Sequence, residues 1–172
     1  MIKDSGNRME FGTGAVRDIQ EGKGRCDLLP LDVVGQIYKS RTPQPAAWDI
    51  LWYINDFVET GDFLPLQYAL EKFLLDDKPF GDANWSTLFL EVSMHFEEGA
   101  KKYGERNWQK GLPTRCYVNS AVRHYLKWLR GDDDEPHDRA FCWNILCCIW
   151  TCLHKPELNE YAQGGMNNEL QS

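Results

Sequence analysis

The sequence predicts an all-α helix bundle, and three observations indicate it. Apolar residues recur at helical spacing through the second half of the chain, glycine and proline fall at the ends of these stretches, and no segment resembles a convincing strand pair. The 172 residues are 42% hydrophobic and 13% aromatic, which is enough to form the core of one domain.

The domain organisation is predicted from glycine content and helical periodicity. Residues 1–29 are expected to form an N-terminal arm, because glycine is frequent there and apolar periodicity is absent. A helical domain follows over 30–155, with a variable helical insert at about 40–80, and 156–172 forms a C-terminal tail.

Three helices are predicted in the first half of this domain. The first begins at Pro30, whose fixed φ suits the first helical position, and ends near Lys39. The second covers about 44–59 and ends at Gly61, and the third runs over 64–75.

Three longer helices are predicted in the second half. The first is capped by Asp82 or Asn84 and runs to Tyr103, with Gly104 in a left-handed turn after it. Another is opened by Pro113 and ends near Arg130. The last is capped by the run Asp132, Asp133 and Asp134, has Pro136 in its first turn, and ends before Pro156.

Charge and apolar content exclude several classes of protein. A formal net charge of −7 argues against a protein that binds nucleic acid through its phosphate backbone. The longest apolar stretch, 140–153, is too short to span a bilayer, and the first residues lack the pattern of a secretion signal. We therefore expect a cytoplasmic protein with no membrane partner.

The six cysteines are expected to be reduced core residues. Four of them, Cys142, Cys147, Cys148 and Cys152, fall on one predicted helix, where most pairs point in different directions. No CxxC pair is present, so a zinc knuckle is weakly supported.

An acidic stripe and a basic stripe lie on successive helices. Glu91, His95, Glu98 and Lys102 share one side of the first helix, beside its apolar face. On the next helix the matching side carries Ser120, Arg123, His124 and Lys127. Solvated borders and interhelical ion pairs are one interpretation, and a site for a metal–triphosphate complex is the other.

The last helix and one loop add further candidates. Asn144 lies in a segment so apolar that its amide must be buried, either on a backbone partner or at a site between helices. The loop GAKKYGERNWQKG interleaves cations with residues that can contact a base: Lys101, Lys102, Arg106, Lys110, Tyr103, Asn107 and Trp108. Such loops are also common as solvated surface. The dipeptide His137–Asp138 resembles the motif of metal-dependent HD phosphohydrolases. That class requires a further aspartate downstream, and no aspartate follows Asp138 in this sequence.

Four segments together resemble a known family. The runs GAVRDIQEGKGRCDLLP, GAKKYGERNWQKG, SAVRHYLKWLRGD and EPHDRAFCWN resemble the dATP/dGTP diphosphohydrolase domain of phages and prophages, which is similar to MazG-like nucleoside triphosphate pyrophosphohydrolases. The resemblance covers about 12–30 and 85–155. It implies an all-α fold that hydrolyses a deoxynucleoside triphosphate to its monophosphate and pyrophosphate, in a phage- or prophage-encoded protein of a bacterial host.

The resemblance also implies a cofactor and a set of site residues. MazG-like enzymes hold Mg²⁺ or Mn²⁺ with an ExxE and an ExxD element; Glu135-x-x-Asp138 fits the second, whereas His95-x-x-Glu98 replaces the first, with Glu91 one turn earlier. The predicted metal ligands are Glu91, Glu98, Glu135 and Asp138. The predicted catalytic residues are Glu98, His95, His124 and His137. The predicted substrate-binding residues are Lys101, Lys102, Arg106, Asn107, Trp108, Arg123, Lys127 and Asn144.

Two further expectations complete the sequence-based interpretation. The altered ExxE element leaves a second function open, a non-catalytic protein that binds or sequesters a nucleotide. Seven tryptophans on short helices predict surfaces shared between subunits, and hence a homo-dimer or homo-tetramer.

Overall fold

The computed structural model describes residues 6–19, 46–76 and 85–162. Its elements, in chain order, are β1 (Arg8–Glu10), β2 (Val16–Asp18), α1 (Ala46–Thr60), α2 (Leu64–Asp76), α3 (Trp85–Tyr103), a 3₁₀ turn (Asn107–Lys110), α4 (Thr114–Arg130), α5 (His137–His154) and a second 3₁₀ turn (Pro156–Leu158). The all-α class is confirmed. The helix predicted from Pro30 to Lys39 and the caps Asp82 and Asn84 lie outside the described residues.

The predicted helices end where glycine permits it. Gly61, Gly104 and Gly131 follow α1, α3 and α4, and all three take positive φ. Gly61 has a second constraint, because a Cβ there would lie 2.4 Å from the Cα of Ala162. A side chain at Gly61 would therefore push the end of α1 away from the residues after α5.

The start of α5 differs from the prediction. The helix begins at His137, Pro136 immediately precedes it, and no side-chain cap bond is made. The aspartates before it have other partners, since Asp132 pairs with Arg130 and Asp134 with Lys127. Their ion pairs, rather than capping, hold the loop 131–136 against α4.

One hydrophobic core joins α1 and α2 to the later helices. Phe73 of α2 is fully buried, and its ring lies 4.8 Å from that of Phe141 on α5 and 6.0 Å from that of Tyr125 on α4. Such aromatic contacts supply a large share of core burial. The helices in the predicted insert are thus packed into the same core as α4 and α5.

The segments on either side of the helices are also packed. The amide of Asn159, a buried residue in the predicted tail, donates to the carbonyl oxygen of Gly61 at 2.7 Å. The predicted boundaries of the arm, domain and tail stay predictions. Five cysteines in the described part are free thiols, and burial raises the pKa of Cys142, Cys147 and Cys148 well above its ordinary value.

A two-stranded hairpin in the predicted arm corrects the expectation of no strand pair. β1 and β2 are antiparallel, with Met9 opposite Arg17. Strands of three residues carry too little alternation to be predicted. The hairpin is held by side chains from the loop after α3, because both amide atoms of Asn107 bond the backbone of Val16, at 3.1 and 2.9 Å.

Within the described residues, no helix is long and apolar enough to cross a membrane.

Candidate functional site

A cavity of about 750 Å³ lies between the hairpin, α3, the loop after α3, α4 and the start of α5. Its volume is in the range typical of small-molecule sites, about 300–1,000 Å³. Many predicted site residues line it: His95, Arg106, Asn107, Trp108, Arg123, His124, Lys127, Glu135 and Asn144. The hairpin, α3 with the loop after it, α4 and α5 thus contribute to one concave surface.

Two guanidinium groups converge on one hydroxyl at the wall of this cavity. Nη2 of Arg17 donates to Oγ of Ser120 at 2.7 Å, and Nη2 of Arg123 donates to the same oxygen at 3.0 Å. The side chain of Ser120 is fully buried and neutral. Two like charges held so near each other favour an anion beside them.

The buried amide of Asn144 bonds both the backbone and a side chain at the cavity. Its Nδ2 donates to the backbone oxygen of Ala140 at 2.8 Å, and its Oδ1 accepts from Nη2 of Arg17 at 3.0 Å. The first bond is structural, and the second positions a cation at the cavity. Asn144 therefore orients Arg17 from inside the apolar helix α5.

Aromatic side chains form another part of the wall. Trp108 lies between Phe96 and Trp150, with ring centroids at 5.2 and 5.0 Å, and Trp143 packs against His95 at 5.3 Å. Trp108 and Trp143 both line the cavity. Flat, partly exposed indoles of this kind can stack a nucleobase.

The basic loop is only partly directed at the cavity. Arg106 lines it and is held at φ 56°, a left-handed conformation that is unusual for a residue with a Cβ. Lys101 is exposed and pairs with Glu97, and Nζ of Lys102 lies 5.1 Å from the ring centre of Tyr103. Within the described residues, neither lysine lines the cavity.

Three of the four predicted metal carboxylates do not line the cavity in the described structure. Oε1 of Glu98 accepts from Nη2 of the buried Arg139 at 3.2 Å. Oδ1 of Asp138 accepts from the backbone N–H of Arg139 at 2.7 Å. Glu91 is half-buried on α3, away from the cavity lining. Glu135 does line the cavity, but it precedes α5 rather than lying on a helix.

Glu135 instead lies beside two histidines. Its Oε1 is 3.6 Å from Nδ1 of His124 and 3.7 Å from Nδ1 of His137, and the two Nδ1 atoms are 3.0 Å apart. Nε2 of His137 lies 2.7 Å from Oδ1 of Asp134. Burial, followed by the charges of Arg123 and His137, holds the pKa of His124 well below its ordinary value.

The third histidine is separate from this group. His95 is buried on α3, and its Nδ1 has no hydrogen-bond partner among the described residues. Burial, then the charges of Arg139 and Arg17, lowers the pKa of His95 to about 3. Its imidazole is therefore neutral at pH 7.

Two site residues were not predicted from the sequence. Arg17 lies on a strand of three residues, and its partners are 103 and 127 positions away, so no local pattern indicates it. Arg139 is a lone cation in the apolar helix α5, and that isolation was a signal that it needs an acidic partner.

One family model matches part of the chain. Residues 78–161 match the family model described as dATP/dGTP diphosphohydrolase, N-terminal, and this stretch contains α3, α4 and α5. The hairpin and helices α1 and α2 lie outside the match. No curated protein and no solved structure matches the chain. Residues 78–161 are therefore similar to the N-terminal domain of dATP/dGTP diphosphohydrolases.

Proposed function

We propose that the protein hydrolyses deoxynucleoside triphosphates, with dATP and dGTP as the expected substrates, to the monophosphate and pyrophosphate. One water adds across the bond between the α- and β-phosphoryl groups. The observation that carries the proposal is the convergence of Arg17 and Arg123 on Ser120, at the wall of a cavity that also contains exposed indole surface.

The cations are proposed to bind the triphosphate. Arg17 and Arg123 are positioned by hydrogen bonds, and Lys127 lines the same cavity while it contacts Asp134 at 3.2 Å. Guanidinium groups bind phosphate oxygens through paired N–H donors. Fixing them before the ligand arrives reduces the entropy lost on binding.

The aromatic wall is proposed to contact the base. Trp108 lines the cavity and is proposed to stack on the base. Both amide atoms of Asn107 already bond the backbone of Val16, so Asn107 is proposed to hold the loop in shape and not to contact the base. Arg106 is proposed to reach the ligand from the rim of the cavity.

A divalent ion, Mg²⁺ or Mn²⁺ by the family resemblance, is the proposed cofactor. When bound, such an ion polarises a phosphoryl oxygen and lowers the pKa of its bound water. Among the described residues, the four predicted carboxylates do not come together as one ligand group, and Glu98 and Asp138 each contact Arg139 through one oxygen. Glu135 with His124 and His137 is the group that does come together.

Product identity tests the proposal. We expect purified protein with Mg²⁺ or Mn²⁺ to convert dATP and dGTP to monophosphate and pyrophosphate. Ion-exchange chromatography of the reaction mixture identifies these products. Arg123→Met should lower kcat/KM by more than about tenfold, the equivalent of about 1.4 kcal/mol in the barrier. Arg115→Met is the matched control, since Arg115 lies on the same helix but is exposed and pairs with Glu160. Inorganic phosphate as the first product, or equal loss in both variants, would contradict the proposal.

A second candidate function is nucleotide binding without catalysis. The observation that favours it is the pairing of Glu98 with Arg139, because this ion pair competes with a metal ion for one oxygen of a predicted ligand. In that case the nucleotide would bind in the cavity and be recovered intact.

The expected location stays the cytoplasm of a bacterial host, with a phage or prophage gene as the source. The five described cysteines are free thiols, which are typical of a reducing compartment.

A further inference from the structure

Three ligand atoms come together where α4 meets the start of α5. They are Nδ1 of His124, Nδ1 of His137 and Oε1 of Glu135, separated by 3.0, 3.6 and 3.7 Å. His137 is 2% exposed, and the side chains of His124 and Glu135 are each 12% exposed. His124 and Glu135 also line the cavity proposed for the nucleotide, so the group is buried but adjoins that space.

These separations are those of ligands around one metal ion. With metal–ligand bonds of about 2.1 Å, neighbouring ligand atoms lie about 3.0 Å apart in octahedral and about 3.4 Å apart in tetrahedral coordination. One edge of the observed triangle equals the octahedral value, and the other two are slightly longer than the tetrahedral value. Small side-chain adjustments are enough for the three atoms to bind one ion.

A neighbouring carboxylate supports the required tautomer. Nε2 of His137 lies 2.7 Å from Oδ1 of Asp134. When Nε2–H donates to that carboxylate, the lone pair is on Nδ1, which faces His124 and Glu135. A carboxylate on the remote nitrogen is the usual outer partner of a metal-bound histidine, and it raises the basicity of the ligating nitrogen.

We propose that His124, Glu135 and His137 bind a divalent first-row transition metal ion such as Zn²⁺, Co²⁺ or Mn²⁺. Two imidazole ligands favour these ions over Mg²⁺, which prefers oxygen ligands. Three protein ligands leave coordination positions open for water or a phosphoryl oxygen. The inference rests on the proposed function for the role of the ion, but its binding requires no nucleotide.

Two other arrangements are weaker. Asp132, Asp134 and His137 also lie close together, but both carboxylate oxygens of Asp132 pair with Arg130. A direct hydrogen bond between the two Nδ1 atoms, with His124 as donor, accounts for their 3.0 Å separation without a metal. It does not account for the approach of Glu135 to both rings.

The test is metal binding by the full chain without nucleotide. Protein freed of metal with a chelator is titrated with Co²⁺, and binding is measured by visible absorption. Binding of Zn²⁺ and of Mg²⁺ is measured by calorimetry. We expect one Co²⁺ per chain with ligand-field bands, displacement by Zn²⁺, and no comparable heat with Mg²⁺. Absence of stoichiometric Co²⁺ and Zn²⁺ binding would overturn the proposal. The approach of His124 to His137 would then be explained by a hydrogen bond between their Nδ1 atoms.

Variants then assign the ligands. Glu135→Gln and His124→Asn should weaken Co²⁺ binding by more than about 100-fold, and Asp134→Asn by about 10–100-fold, the range for outer partners. Asp132→Asn is the control that should bind Co²⁺ as the unmodified protein does. Circular dichroism checks that each variant is folded. Because Glu135 lies in a loop, Glu135→Gln is expected to fold even if a histidine variant does not, and it then tests the ligand assignment alone. Equal binding by Glu135→Gln would overturn the assignment.

The two failures are distinguishable. Metal binding with no turnover of dATP or dGTP contradicts the proposed function and leaves the metal site intact. Turnover that needs Mg²⁺ and is unchanged in Glu135→Gln overturns the metal site and leaves the function intact.

Discussion

Nη2 of Arg17 donates to Oδ1 of Asn144 at 3.0 Å, although the two residues are 127 positions apart in the chain. This bond fastens the N-terminal hairpin to the interior of α5. The same nitrogen donates to Oγ of Ser120, so one guanidinium joins β2, α4 and α5 at the cavity wall.

Removing Arg17 should therefore affect both folding and ligand binding. Arg17→Met leaves Oδ1 of Asn144 buried without this donor, which should lower the free energy of unfolding by about 1–3 kcal/mol. Affinity for dATP should fall as well, because a cation that is proposed to bind the triphosphate is lost. Urea denaturation and equilibrium binding measure the two effects.

Arg8→Met is the control on the same hairpin. Arg8 is exposed and lies 3.8 Å from Asp18, a distance at which an ion pair contributes little. We expect it to keep the stability and affinity of the unmodified protein. If Arg8→Met and Arg17→Met lowered stability and affinity equally, the contact between Arg17 and Asn144 would have no specific effect on either quantity.

Glu98 is expected to stabilise the fold rather than to bind metal. Glu98→Gln removes the charge opposite Arg139, whose side chain is 6% exposed, and an uncompensated buried charge is unfavourable. Since Glu98 itself is partly exposed, we expect a loss of about 1–3 kcal/mol in the free energy of unfolding. Glu97→Gln, one residue earlier and in solvent, should leave the urea midpoint unchanged. A stable Glu98→Gln protein without catalytic activity would instead support the sequence-based assignment of Glu98 to the site.

Stability at low pH should depend on His95. Its pKa in the folded protein is about 3, well below the ordinary 6.5, so only the unfolded chain takes up a proton between these values. The stability that the neutral imidazole preserves is present above pH 6.5 and is lost as the pH falls toward 3. His95→Phe keeps a ring against Trp143 and should flatten this part of the stability profile. Parallel profiles for the two proteins between pH 7 and 4 would contradict the burial of a neutral His95.

Association between copies of the chain is expected at α3. Phe89, Leu90 and Met94 are 48, 69 and 48% exposed, and the predicted homo-dimer or homo-tetramer would bury such a surface. Leu90→Glu should reduce the molar mass measured by light scattering, whereas Glu97→Gln should not. A monomer at all concentrations in the unmodified protein would contradict the prediction.

The sequence predicted the helices well because their signals are local. Gly61, Gly104 and Gly131 end helices by their own conformational freedom, and apolar spacing reports the buried face of each helix. In α3, Phe89 falls at helical spacing with the buried Val92 but is itself 48% exposed. Spacing shows which residues share a face, but not how far the partner helices extend along it.

The site was predicted only in part because its contacts are long-range. The sequence indicated Arg123 and His124 from their positions beside an apolar face, and Asn144 from its place within an apolar segment. It could not show that Arg17 would reach Asn144, or that Arg139 would pair with Glu98, a predicted metal ligand. Hydrogen bonds between distant segments depend on the packed fold and leave no periodic trace in the sequence.

The most direct test of the account is a crystal structure with a dATP analogue that has a non-hydrolysable α,β-bridge, grown with Mn²⁺. We expect the triphosphate beside Arg17, Arg123 and Lys127 and the base against Trp108, in the cavity between the hairpin and α3, α4 and α5. Density for the analogue at another surface, with this cavity filled only by water at a saturating ligand concentration, would contradict the account.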